Sequence, residues 1–178
     1  MEWAEVPFEI IVNDTDESYP ADLPVQEVAM HIARNKALAV KAIVDNTIAL
    51  HKTILAADTI VVLNNEIIGK PKDRDDAVAI LSKLSGNKHA VVTGVVIING
   101  ATEIAFADTT EVEFHLLTKQ QIEFYIDKYK PYDKAGAYAI QEWIGVVGIK
   151  SVKGDFYNVM GLPVSRVVQA LQRLENTG

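Results

Sequence analysis

The 178-residue sequence contains no cysteine. No disulfide framework and no thiolate metal site can form, which fits a reducing, cytoplasmic setting. It lacks any apolar run long enough to span a bilayer. Its first residues, Met1-Glu2-Trp3-Ala4-Glu5, have neither the basic region nor the apolar core of a signal peptide. Positive charge is in short supply: 17 Lys and Arg stand against 24 Asp and Glu, for a net charge of −7. Such a chain does not attract long nucleic acids non-specifically. It can still take a small anion where a few lysines converge or a divalent cation bridges. Two phosphate-binding signatures are also missing, the Gly-x-x-x-x-Gly-Lys-Ser/Thr loop and the Gly-x-Gly-x-x-Gly dinucleotide turn. Any bound phosphate must therefore be held by lysines, backbone amides and metal. His31, His51, His89 and His115 are scattered without ligand spacing, which argues against a zinc site.

What is present is apolar residues, at 49% of the chain, enough for a substantial core. The length suits a single domain. Pro7 to Val12 reads as a strand, and Asn13 to Ser18 as a polar loop in which Asp14, Asp16 and Glu17 crowd three carboxylates. Val25 to about Ile43 reads as a long helix with an apolar stripe through Val25, Ala29, Ile32, Ala39 and Ile43. Lys36 falls on that stripe, one turn after Ile32 and one turn before Val40. A lysine there either snorkels to the surface or points into a cleft at an anion.

The centre of the chain is Ala56 to Leu63, a buried strand, followed by Asn64-Asn65-Glu66 and a return through Ile67-Ile68-Gly69-Lys70-Pro71-Lys72. Asp58 and Thr59 open the strand. A carboxylate in an apolar run is costly unless paired, hydrogen-bonded or metal-bound; a structural cap and a catalytic group both satisfy that condition. Asp73 then caps a helix that ends at Gly86. His89 to Ile98 and Thr102 to Leu116 form an antiparallel pair around the Asn99-Gly100 hairpin signal. Gly94 interrupts the first of these strands, as a bulge or close backbone approach requires. Thr118 and Gln121 form a capping box. After Pro131 comes Tyr132-Asp133-Lys134-Ala135-Gly136-Ala137-Tyr138-Ala139-Ile140-Gln141, in which small residues separate a charged pair from an amide. Ile144 to Val152 reads as a strand, Asn158 to Pro163 as a loop, and the remainder as a final helix. Helices alternating with long antiparallel strands predict an α/β chain. It is expected to be a single elongated two-lobed domain, residues 1–178, with a curved mixed sheet flanked by helices.

Five of these pieces occur in a recognisable order: Ala56-Ala57-Asp58-Thr59; Gly69-Lys70-Pro71; Thr93-Gly94; Asp133-Lys134-Ala135-Gly136-Ala137-Tyr138 with Ile140-Gln141; and Asn158-Val159-Met160-Gly161-Leu162-Pro163. Together they resemble the Maf family of nucleoside triphosphate pyrophosphatases over nearly the whole chain. The Asp-Lys-Ala-Gly-Ala-Tyr…Ile-Gln version resembles the branch acting on dTTP and UTP rather than the branch acting on 7-methyl-GTP. The resemblance implies a fold related to the inosine triphosphatases. It also implies hydrolysis of a nucleoside triphosphate to the monophosphate and pyrophosphate with Mg²⁺ or Mn²⁺. On it, Asp58 is the general base, and Thr59 and Gln141 sit at base-selecting positions. Lys36, Lys70 and Lys72 hold phosphates, Lys134 faces the nucleotide, and Glu17 joins Asp58 at the metal. The expected partner is a small nucleotide, with no long nucleic acid and no membrane; a symmetric homodimer is the default assembly.

One departure stands out. The family pattern opens with a strand and a Ser-x-Ser-Pro-Arg-Arg loop, and nothing here matches it. The chain is therefore expected to be shortened at its N-terminus and to lack those arginines, whose bidentate contacts lysine does not reproduce. That leaves a second reading, a nucleotide-binding or regulatory module with weak or no catalysis. A third is a purine-directed housekeeping pyrophosphatase.

Overall fold

The computed structural model describes residues 1–45 and 52–175; His51 lies outside them. The described residues form an α/β chain with a five-stranded open sheet and six α-helices. The strands are β1 (Ile54–Leu63), β2 (Glu66–Ile68), β3 (Lys88–Asn99), β4 (Thr102–Phe114) and β5 (Ile149–Lys153). The helices are α1 (Val25–Asp45), α2 (Arg74–Leu84), α3 (Lys119–Tyr129), α4 (Trp143–Gly148), α5 (Phe156–Val159) and α6 (Val164–Glu175). The sheet order is β2-β1-β3-β4-β5, and both edge pairings, β1 with β2 and β4 with β5, are antiparallel.

The chain divides into two compact units. The first comprises Met1–Asp58, Thr93–Asp108 and Gly161–Gly178, the second Thr59–Val92 and Thr109–Met160. In the first unit, β3 is buried on both faces, which explains its unbroken run of β-branched residues. Val96 and Ile98 pack with Ala33, Ala37 and Val44 of α1. The alternate residues Val95 and Ile97 pack with Val167 and Ala170 of α6. Gly94 is the seating point for α1. A Cβ there would lie 2.3 Å from the Ala29 carbonyl carbon and the Met30 nitrogen, so only glycine allows the backbones to meet. The buried face of α1 runs Val28, Ala29, Ile32, Ala33, Ala37 and Val44, rotated from the expected stripe, and Ile43 is exposed.

Residues 7–12 do not form the expected strand. They lie outside the sheet, with Ile10 and Val12 exposed, and residues 7–11 line a cavity of about 660 Å³ with Val40, Val44 and Ile54. Apolar β-branched composition marks a strand only where a neighbour accepts its ladder bonds, and the described sheet offers this segment none.

In the second unit, β1 returns through a two-residue turn. Asn64 and Asn65 both have positive φ, 51° and 65°, and Leu63 pairs with Glu66. That is the type I′ geometry favoured by strand twist. The core gathers Val61, Leu81, Val91, Phe114, Tyr125, Ile126, Tyr138 and Ile144. Asp73 caps α2 by accepting from the Asp76 amide, and Thr118 with Gln121 closes the capping box of α3. The expected strand over Ile144 to Val152 is half helix: α4 ends at Gly148 and β5 covers only Ile149–Lys153. Packing overrides propensity here. A Cβ on Gly145 would sit 1.7 Å from the Ile140 carbonyl oxygen, and one on Gly148 would press on the Phe114 ring. The stretch from Asn158 contains the end of a short helix, α5, before its loop.

Candidate active site

The first unit contains a compact charged constellation. Lys36 Nζ on α1 donates to Asp58 Oδ1 on β1 at 2.6 Å and stands 2.9 Å from Glu17 Oε1. The Asp58 side chain is 12% exposed and that of Lys36 29%, so this is no solvated surface pair. Burial alone would lower the pKa of Lys36; hydrogen bonds from its ammonium to Asp58 and Glu17 outweigh that and leave it raised. The lysine that breaks the apolar stripe therefore points at anions rather than snorkelling. The structure joins three sequence candidates, Glu17, Lys36 and Asp58, through one ammonium group. Asp14 and Asp16 take no part in it as described: Asp16 instead accepts from the amide and hydroxyl of its neighbour Ser18.

The second unit begins at Thr59, a half-buried residue of β1. It carries the remaining candidates on two segments tied together by backbone. The Gly136 amide donates to the Gly69 carbonyl at 3.1 Å, which sets the Lys70 loop beside residues 133–137. Gly136 has φ 70°, and a Cβ on it would lie 2.9 Å from Val61 Cγ2, so the close approach again needs glycine. Lys134 Nζ contacts Asp133 Oδ2 at 2.8 Å. That bond, and to a smaller degree the Lys70 charge, hold Asp133 below the ordinary aspartate range. Lys70 is exposed on a loop whose Pro71 is buried, and the Lys72 amide donates to Asp76 Oδ2 at 2.9 Å. Gln141 is the exposed apex of a turn whose Ala139 and Ile140 are buried.

Sequence reasoning missed the supports of that turn. Tyr125 on α3 is fully buried; its hydroxyl accepts the Ala139 amide at 3.1 Å and donates to Glu142 in a short hydrogen bond. His89 and Tyr138 are also buried and share a 2.7 Å hydrogen bond, with the His89 ring stacked on Phe114. Burial pushes His89 down to about 4. The only signal for either support is a polar tip on an aromatic in an apolar position, which periodicity reads as core.

The donor set suits a hard divalent cation. Glu17 and Asp58 already converge on one positive group, and both offer carboxylate oxygens. Among the described residues no cluster of three His, Asp or Glu side chains stands ready to hold a metal. Two carboxylates are nonetheless the usual protein share for Mg²⁺, which commonly completes its shell with substrate phosphates and water. Among the described residues no helix is long and apolar enough to cross a membrane.

The whole chain has close relatives. It is 46% identical over 176 residues to the dTTP/UTP pyrophosphatase of Cytophaga hutchinsonii, covering 99% of this chain and 78% of that protein. It is 45% identical over 161 residues to the dTTP/UTP pyrophosphatase of Bacteroides thetaiotaomicron, covering 90% and 81%. It is 44% identical over 169 residues to that of Parabacteroides distasonis, covering 94% and 86%. The family model described as Maf-like protein matches residues 1–174. With a match of that extent, the chain belongs to the Maf family.

Proposed function

We propose that this protein hydrolyses the pyrimidine nucleoside triphosphates dTTP and UTP to the monophosphate and pyrophosphate, with a divalent metal. The observation that carries the reading is Lys36, whose ammonium stands 2.6 Å from Asp58 and 2.9 Å from Glu17 on an otherwise apolar helix face. The names of the relatives supply the substrate class.

In this reading a water attacks the α-phosphorus, and the bond from that phosphorus to the oxygen bridging to the β-phosphate breaks. Asp58 takes the proton of the attacking water. Lys36 orients that carboxylate and keeps a positive charge beside it. Glu17 and Asp58 would hold Mg²⁺ or Mn²⁺, which when bound neutralises phosphate charge. Lys36, Lys70 and Lys72 offset the charge of the leaving pyrophosphate, and Lys134 faces the nucleotide. Gln141 presents both a donor and an acceptor, the complement of the N3–H and O4 edge of thymine or uracil, and Thr59 assists base selection.

The test is pyrophosphate release from dTTP, UTP, CTP, GTP and ITP, with Mg²⁺, with Mn²⁺ and after chelation. Turnover of dTTP and UTP that needs metal and vanishes in Asp58→Asn is the expected result. Tight UTP binding without turnover would make the chain a nucleotide-binding module instead. Preference for ITP would overturn the pyrimidine assignment.

A further inference from the structure

We propose that Tyr125 is a positioning residue for Gln141, its hydroxyl bracketing the turn from Ala139 to Glu142 so that Gln141 is held at one place beside the pyrimidine edge. The inference rests on the function proposed above and deepens it. Gln141 is exposed and has to select between bases by the direction of a donor and an acceptor. An exposed amide on a loose turn discriminates poorly, because its distance from the base edge varies.

This turn is not loose. Tyr125 Oη accepts from the Ala139 amide on one side of Gln141 and donates to the Glu142 carboxylate on the other. The Glu142 amide donates to the Ala139 carbonyl at 3.1 Å, closing the turn on itself. The Gly145 amide donates to the Glu142 carbonyl at 2.9 Å, and the Ile140 carbonyl fills the space a Cβ on Gly145 would need. Tyr125 itself cannot shift, since it is fully buried on α3 and stacked on Tyr129 with ring centroids 5.0 Å apart. Burial, and then the Glu142 carboxylate, hold its hydroxyl protonated far above the ordinary tyrosine range, so it remains a donor at any working pH. One hydroxyl therefore ties down a residue on each side of Gln141, Ala139 and Glu142, without touching substrate.

Tyr125→Phe keeps the ring and removes only the bracket. KM for dTTP and UTP is expected to rise about tenfold, the scale of one lost buried hydrogen bond. KM for CTP, which lacks the N3–H and O4 edge, should move less than about twofold, so the preference for dTTP and UTP should collapse, as is expected of Gln141→Ala. Hydrogen exchange at the Ala139 amide should accelerate in the same variant. Glu142→Gln, which keeps an acceptor for the hydroxyl, should retain the wild-type preference, and Glu142→Leu should lose it; the Glu142 pair decides the matter should Tyr125→Phe fold poorly. Wild-type selectivity in Tyr125→Phe or in Glu142→Leu, or an equal loss on every nucleotide, overturns the inference alone. A wild-type protein that turns over neither dTTP nor UTP overturns the function and the inference together.

Discussion

His89 makes stability depend on pH in a way a single substitution can isolate. The ring is 3% exposed, stacked on Phe114, bonded through Nε2 to the Tyr138 hydroxyl, and its Nδ1 has no hydrogen-bond partner among the described residues. Burial lowers its pKa from 6.5 to about 4. Between those two values the unfolded chain binds a proton that the native state refuses, so stability rises with pH across that window and is lost as pH falls through it. Each unit of difference is worth about 1.4 kcal/mol, and the full drop from about pH 7 to about pH 4 should cost about 3 kcal/mol. That is a large part of the ~5–15 kcal/mol that holds a typical domain together. His89→Gln removes the titration and keeps a group able to bond Tyr138. Urea unfolding of both proteins across this pH range gives the answer, because the carboxylates titrate in both and cancel in the difference. Wild type should lose about 3 kcal/mol more than the variant on acidification. Parallel curves would show that His89 is protonated in the native state or is not buried.

Two further outcomes follow from the packing. Lys36→Met leaves Asp58 and Glu17 facing each other without their cation. It should destabilise the protein by about 2 kcal/mol, the pair being only partly buried, with partial recovery in the Glu17→Gln double variant, read by thermal unfolding at neutral pH. Gly94→Ala places a carbon into the α1 backbone, which cannot yield as a side chain could. It should cost about 3 kcal/mol in urea unfolding, and a neutral result would mean that α1 is not seated on β3.

The sequence made the site legible wherever a residue broke its local pattern. Lys36 interrupts an apolar stripe, Asp58 an apolar strand, and Gly94 a β-branched run, and each turned out to have a specific contact as its reason. The capping box at Thr118 and the caps at Asp73 and Gly86 were equally readable, because caps are local chemistry. Composition misled where structure depends on distant partners. Residues 7–12 have strand composition without a neighbouring strand, and Ile144 to Gly148 has strand composition but winds as a helix because Gly145 and Gly148 fit under Ile140 and against Phe114. Tyr125 stayed invisible for a related reason: its ring obeys the helix period perfectly, and only its hydroxyl has a second task.

The seating of α1 on β3 also bears on time. Ala29 lies two helical turns before Lys36, a rise of about 10 Å on the same face. With the Ala29 carbonyl carbon and Met30 nitrogen set against Gly94, the helix can neither slide nor roll without colliding with the strand. Lys36 can therefore change partners only by rotation about its own four-carbon stem. Rotations of that kind take about picoseconds to nanoseconds, whereas enzymes commonly turn over about 1–10³ times per second. Passing the ammonium from Glu17 or Asp58 to an arriving phosphate is then an immediate event. Rotation of Lys36 is thus far too fast to set the rate of turnover.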